Sequence, residues 1–395
     1  MEPSRIAEPV PRAAGVPDPR ANVARSLGDV YSQWLVFVRT GQRAVLLLVL
    51  ALVVSAGQAA PQPIPATLSA PAVIAGLTPA ASVGRVFRNL DPQYHRASLW
   101  TRAQSVILGG TWLVGKRRVA ALPRAEVDVE ALRANTSRAT VTWVGHSTVL
   151  VQLDGVNFLT DPIWANRSGP FGGLVGVGRY TPPGIAFAAL PRIDFVLISH
   201  DHYDHLDEPT VRRLAYAFNP RFVVPLGLKD WLADRGITNA VELNWGQSVQ
   251  VAGLTVVCTP AQHGSGRTPF DQGRRLWASW AVLGSKRFYF AGDTGYFQHF
   301  KQIGDALGPF DLAALPIGSY TPREHARPVH ISPEEALQAW VDLRAEKFVG
   351  IHWGTFGLAR EPYDEPSRRI EQEVARRHFD PESVWILRPG ATTAW

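Results

Sequence analysis

The sequence predicts an α/β protein in which two β-sheets pack together with helices outside. Three observations lead there. Strand-type runs recur from residue 140 onward, the first of them join as hairpins, and capped helical segments fall between the later ones. The 395 residues allow one large domain with an appendage or two average domains, and 46% apolar residues with 34 Gly and 31 Pro fit a loop-rich globular chain.

In order, "TVTWVG" (140–145) and "TVLVQL" (148–153) alternate with period two, and Asp154-Gly155 turns the chain into "VNFLTD". "IDFVLIS" reads as a continuous buried strand. Asp207 stands as N-cap to "EPTVRRLAYAF", with Pro209 in its first turn. "RFVVPLG" predicts a strand and "LKDWLADRG" a short helix ending on Gly236. "LTVVCTPAQH" predicts a strand, and "LWASWAVLGSKRFYFAGD" a hairpin about "GSK". The strands "FDLAALPIG" and "KFVGIHWG" flank the helix "PEEALQAWVDLRA", where Ser332, Pro333 and Glu335 form an N-cap, a first-turn proline and a capping box. The helix "PSRRIEQEVARR" and a last strand, "SVWILRPG", follow, and no internal repeat is visible.

Composition narrows the chemistry. The single cysteine, Cys258, excludes an internal disulfide and a thiolate zinc site, and within "LTVVCTP" it reads as a small buried side chain. Residues 85–138 carry ten Arg or Lys against four acids, which accounts for the whole net charge of +6. A basic arm of this kind can meet an anionic membrane surface or nucleic acid, or form a solvated face. Ahead of it, "AVLLLVLALVVSA" (44–56) follows Arg39 and Arg43 and precedes small residues, the order of an export signal. The run is shorter than the ~20 residues of a spanning helix. Residues 1–60 are therefore expected to be an export signal or membrane anchor region carried by 44–60, uncleaved unless translation starts downstream of Met1. The uncharged, Pro- and Ala-rich stretch 61–84 reads as a semi-rigid linker, and 85–395 as the folded domain.

The stretch "ISHDHYDHLD" (198–207) places three histidines and three aspartates at a strand end. His200 and His202, two apart in extended chain, point the same way and can share a metal. Asp204 and His205 follow on the loop, within reach of a second. Imidazole with carboxylate and no thiolate suits zinc, with iron or manganese allowed. Further ligands stand at strand ends: His263 after "TPAQ", Asp293 after "FYFAG" and His352 after "KFVGI". The expected partition is His200, His202 and His263 on one ion and Asp204, His205 and His352 on the other, with Asp293 bridging. His146, in "WVGHST", reads as a structural turn residue rather than the alternative, an outer partner of a ligand, and Asp161, in "LTDPIW", as a candidate to orient a ligand histidine.

This ordered set resembles the metallo-β-lactamase superfamily, which implies an αββα sandwich with metals at one edge. "TWVGHSTVLVQLDGVNFLTDPIW", "LPRIDFVLISHDHYDHLD", "VPLGLKDW", "WASWAVLG", "FYFAGDTGY", "GPFDLAALPIGSYTPR" and "IHWGTF" are similar to the N-acyl-phosphatidylethanolamine phospholipase D-like family, from about Phe87 to the C-terminus. "ANRSGPFGGLVGVGRYTPPG" matches that family less well, and histidine at His205 departs from the true β-lactamase branch. "VHISPEEA" is similar to the segment carrying an additional active-site histidine, which falls on His330, beside a helix N-terminus that favours an anion.

The resemblance implies a binuclear zinc phosphodiesterase that converts N-acyl-phosphatidylethanolamine to phosphatidic acid and N-acylethanolamine, with Asp293, His330 and Asp204 in catalytic roles. A lactonase, or a soluble phosphodiesterase acting on a small phosphorylated substrate, keeps the metals and changes the substrate. A nuclease fits less well, because no long extra domain lies between Asp293 and His352. A non-enzymatic binding member would be expected to lack a ligand, and all seven are present. The expected partner is a phospholipid or membrane surface rather than nucleic acid, with "WTRAQSVILGGTWLVGKRR" (100–118) as a candidate contact, and a homodimer is allowed. The expected location is membrane-associated, with cytoplasmic as the alternative.

Overall fold

A computed structural model describes residues 72–91 and 121–395, which belong to one compact unit. The hydrophobic segment 44–60 and the candidate contact 100–118 lie outside the described residues. Among the described residues, no helix is long and apolar enough to cross a membrane.

The first sheet is built from β1 (Thr140–Gly145), β2 (Thr148–Leu153), β3 (Val156–Thr160), β4 (Phe195–Leu197), β5 (Arg221–Pro225) and β6 (Ala240–Leu243). The second contains β7 (Ser248–Val251), β8 (Leu254–Thr259), β9 (Ser279–Leu283), β10 (Arg287–Phe290), β11 (Leu312–Pro316), β12 (Lys347–Ile351) and β13 (Val384–Trp385). The chain then returns to the first sheet as β14 (Thr392–Ala394). The sheet orders are β6-β5-β4-β3-β2-β1-β14 and β7-β8-β9-β10-β11-β12-β13. Each begins as an antiparallel meander and continues as parallel strands, β3 to β6 in one and β10 to β13 in the other. The two halves thus repeat a topology that their sequences do not display.

Alternation explains the layers. Trp143, Val149, Val151 and Phe158 from the first sheet meet Val256, Cys258, Trp280, Val282 and Phe288 from the second in one buried cluster. Leu150, Leu159, Val196 and Val224 face the opposite way, against α2 (Glu208–Phe218) and α3 (Leu228–Ala233), which follow α1 (Val129–Ala134). On the far face of the second sheet pack α4 (His299–Leu307), α5 (Pro333–Asp342) and α6 (Glu365–Arg377). The architecture is the expected αββα sandwich.

Several local expectations hold to the residue. Asp154 and Gly155 both take positive φ at the β2–β3 turn. The Ser332 hydroxyl accepts from Glu335 N, and the Glu335 carboxylate accepts from Ser332 N. Others need correction. Asp207 sits at the α2 N-cap, but its carboxylate accepts from the Thr210 hydroxyl at 2.5 Å and from Ala165 N at 3.3 Å rather than capping the helix. "SVWILRPG" contributes only Val384–Trp385, and the last strand is β14, antiparallel to β1. Residues 72–84, inside the expected linker, are mostly exposed but anchored: Ile74 N donates to Gly246 O at 2.7 Å and Leu77 is buried in the inter-sheet core. Apolar anchors in that Pro- and Ala-rich segment override its linker composition.

Candidate metal centre

The centre is built on loops at the C-terminal ends of strands from both sheets. His200, His202, Asp204 and His205 follow β4, while Asp293 follows β10 and His352 follows β12. His263 lies four residues past β8, which stops at Thr259 because "PAQH" leaves the ladder. His330 lies on the loop two residues before the α5 N-cap. All eight expected residues come together, and His146 and Asp161 join them.

Among the described residues, four overlapping groups of side chains could each hold a metal ion. Two share no residue, one containing His200, His202 and His263 and the other His146, Asp204, His205 and His352; the remaining two, Asp161 with His200 and His205 and His263 with Asp293 and His330, overlap them. In the first, His202 Nδ1 lies 2.8 Å from His200 Nε2 and 3.2 Å from His263 Nε2. In the second, Asp204 Oδ2 lies 3.0 Å from His146 Nε2, 3.3 Å from His205 Nε2 and 3.5 Å from His352 Nε2. Asp293 stands between them, its Oδ2 3.2 Å from His205 Nε2 and 3.7 Å from His263 Nε2, its Oδ1 3.1 Å from His352 Nε2. His330 Nδ1 is 3.8 Å from Asp293 Oδ2.

Outer partners orient these rings. The buried Asp161 carboxylate lies 2.6 Å from His205 Nδ1 and also accepts from Ser199 N and the Ser199 hydroxyl, which is 2.9 Å from His200 Nδ1. His263 Nδ1 meets Val329 O at 2.9 Å. Sequence reasoning missed the clamp beneath the loop. The buried Asp201 carboxylate accepts from Gly266 N and Arg275, and Arg267 donates to Asp201 O and Leu206 O. The backbone is strained where function concentrates, with His146, Asp161 and His352 at φ 54°, 35° and 58°. Beside Asp293, Gly292 takes φ 59°, and a Cβ there would stand 2.5 Å from Ser199 Cβ.

Electrostatics divide the imidazoles by their carboxylate neighbours rather than by group, since burial also lowers His146 to about 3. Burial drives His200 well below its ordinary pKa and His263 down to about 3, with neighbouring imidazoles adding to the effect. Burial also opposes charge on His205 and His352, but Asp293 and Asp204 outweigh it, holding His205 well above its ordinary value and His352 up to about 9. The same pairs hold Asp204 and Asp293 well below the usual carboxylate range against the cost of burial.

The family described as the beta-lactamase superfamily domain matches residues 156–353. The chain belongs to the metallo-β-lactamase superfamily. An N-acyl-phosphatidylethanolamine-hydrolyzing phospholipase D of Caenorhabditis elegans is 47% identical over 250 residues, covering 60% of this chain and 70% of the relative. This metallo-β-lactamase superfamily chain is thus a member of the phospholipase D-like family. A metal-dependent hydrolase of Solibacter usitatus is 31% identical over 265 residues, 65% of this chain and 99% of the relative. A solved structure of a possible metal-dependent hydrolase from Veillonella parvula superposes with a TM-score of 0.52 at 15% identity, over 66% of this chain and 100% of that one, and it shows the fold alone. The protein is a metal-dependent hydrolase.

The residues of this superfamily member fit cations. His205 Nε2, Asp293 Oδ1 and both ring nitrogens of His352 are buried without an aligned hydrogen-bond partner. Buried polar atoms left so are costly unless something else satisfies them. Nitrogen and carboxylate oxygen donors converge, and Cys258, buried in the core with its thiol pKa pushed up by burial, stays apart from them.

Proposed function

We propose that this hydrolase holds two zinc ions and acts as a phosphodiesterase on N-acyl-phosphatidylethanolamine, releasing phosphatidic acid and an N-acylethanolamine. Asp293 is the observation that carries the binuclear reading. One carboxylate faces His205 and His352 on one side and His263 on the other. His200, His202 and His263 would hold one ion, Asp204, His205 and His352 the other, and Asp293 both. The worm relative's activity supports the substrate.

Cations bound there supply Lewis acidity, lowering the pKa of a water and offsetting charge that gathers on phosphoryl oxygens. The chain's own groups do the rest. The Asp204 and Asp293 carboxylates accept hydrogen bonds from the attacking water and orient it. The water oxygen joins phosphorus and gives up a proton, the bond from phosphorus to the ethanolamine oxygen breaks, and the leaving alkoxide takes up that proton. His330, partly exposed and beside the α5 N-terminus, offers a ring N–H to a phosphate oxygen or to that leaving oxygen. The substrate's residence in a bilayer makes a phospholipid surface the natural partner.

The test is the purified metal-loaded chain given vesicles containing N-acyl-phosphatidylethanolamine, and separately a lactone panel, with products read by mass spectrometry. Phosphatidic acid and N-acylethanolamine in equal amounts are expected, with about two zinc ions per chain. Turnover of lactones or small phosphodiesters alone would replace the phospholipase reading. His330→Ala should keep both ions yet lose roughly 10²-fold or more in kcat; loss of metal would contradict its place on the substrate.

A further inference from the structure

We propose that His146 is a positioning residue that holds Asp204 in the carboxylate-bearing ligand group. The sequence favours a structural turn histidine over a partner of a ligand and names no group that it would hold, and nothing in the proposed chemistry uses it. Its side chain is 2% exposed, and its Nε2 is 3.0 Å from Asp204 Oδ2, a hydrogen-bond distance. The oxygen it holds is the one that faces the cluster, 3.3 Å from His205 Nε2 and 3.5 Å from His352 Nε2. A loop carboxylate has a freely turning terminal torsion, and His146 is the neighbour of that oxygen which lies outside the proposed ligand set, so its hydrogen bond can set which way the oxygen points.

The ring itself is held fast. It lies 4.1 Å from the His352 ring and meets Phe356 edge-on at 5.2 Å, centroid to centroid. Its backbone is tied to both halves of the sandwich. His146 N donates to the Thr355 hydroxyl at 2.7 Å, and His146 O accepts from Trp143 Nε1 at 2.9 Å and His352 N at 3.0 Å. One residue therefore places the His352 backbone through its carbonyl and the Asp204 carboxylate through its ring. It does so at φ 54°, a conformation that glycine adopts without steric cost.

The inference rests on the cation-holding reading of the cluster, and the test separates the two. Zn²⁺ binding to the full chain is titrated for wild type, His146→Ala and His146→Gln, with chelator-stripped protein as the start. Failure of wild type to bind about two ions sinks the cation reading itself. With wild type binding normally, His146→Ala should weaken one of the two sites by roughly 10–100-fold, the scale of losing an outer partner of a ligand, and leave the other unchanged. His146→Gln, whose amide can still donate, should recover most of that loss. On an Asp204→Ala background, His146→Ala should cost almost nothing more, whereas a merely structural role would add its full effect. Unchanged Zn²⁺ binding in His146→Ala, or an additive double variant, overturns the proposal. So does complete loss of one ion that glutamine cannot restore, which would make His146 a ligand. Should His146→Ala fail to fold, His146→Gln decides alone: near wild-type affinity at both sites supports the proposal, and loss of one site overturns it.

Discussion

The two sheets build the same centre in opposite ways. The first concentrates its donors, with His200, His202, Asp204 and His205 on one loop after β4, clamped from below by Asp201, Arg275 and Arg267. The second disperses them, one residue per strand end, with His263, Asp293 and His352 each on its own loop. Yet both electrostatic environments mix the two sheets. His263 of the second completes the imidazole group of the first, and Asp293 sits between the groups. Local concentration makes a site conspicuous, while completeness depends on how the sheets pack.

The largest effect that could break this comparison belongs to Asp293. Asp293→Ala should lower kcat by more than roughly 10³-fold and loosen cations at both groups, because one carboxylate serves both. Wild-type turnover in that variant, or loss confined to one ion, would mean that the halves do not share it.

A second, smaller effect tests whether dispersed and concentrated donors are equivalent. His200→Ala and His263→Ala should each weaken the same single site, by more than the roughly 10–100-fold typical of outer partners, and the double variant should lose little more. Zinc titration followed by elemental analysis reads this directly. Loss of different sites by the two variants would dissolve the imidazole group.

The smallest effect is a pH dependence that sharpens the contrast between the imidazoles in chelator-stripped protein. His263 is lowered to about 3 in the folded chain, so its contribution is present above its ordinary value of 6.5 and is lost as pH falls from there toward about 3. His352 is raised to about 9, so its contribution is full below 6.5 and is lost as pH rises through about 9. Calorimetric Tm should therefore peak near pH 6.5 and fall on both sides. His352→Gln should soften the alkaline limb without abolishing it, because His205 is also held well above its ordinary value. His263→Gln should only soften the acid one, because His146 and His330 are also lowered to about 3 by burial. A Tm that climbs steadily from pH 6.5 to 9 would contradict the assigned pairing of His352 with Asp293 and Asp204.

Legibility followed locality. "HDHYDH" announces itself because strand geometry points alternate side chains one way, so ligands two apart share an ion without any knowledge of the rest of the chain. The Ser332–Glu335 box and the Asp154-Gly155 turn were equally readable, since each satisfies backbone groups within a few residues. The strands β6 and β7, helix α4 and the closing strand β14 were not. The short strands carry no distinctive period, α4 is amphipathic but starts from Gln298 without a side-chain cap, and β14 exists because β1 offers it an edge.

His146 and Asp161 mark the boundary between the two kinds of knowledge. By itself the sequence determined the alternating strands, the capped helices, the seven-donor set and, through long family-like segments, the superfamily. It did so because periodicity, caps and turn chemistry act between neighbours in the chain. Only the tertiary structure decided that Leu77 joins the core, that His146 meets Asp204 and that Asp161 meets His205. Those outcomes depend on two sheets approaching face to face and bringing strand ends from distant parts of the chain within hydrogen-bonding range. No local pattern encodes a contact whose partner lies in another strand.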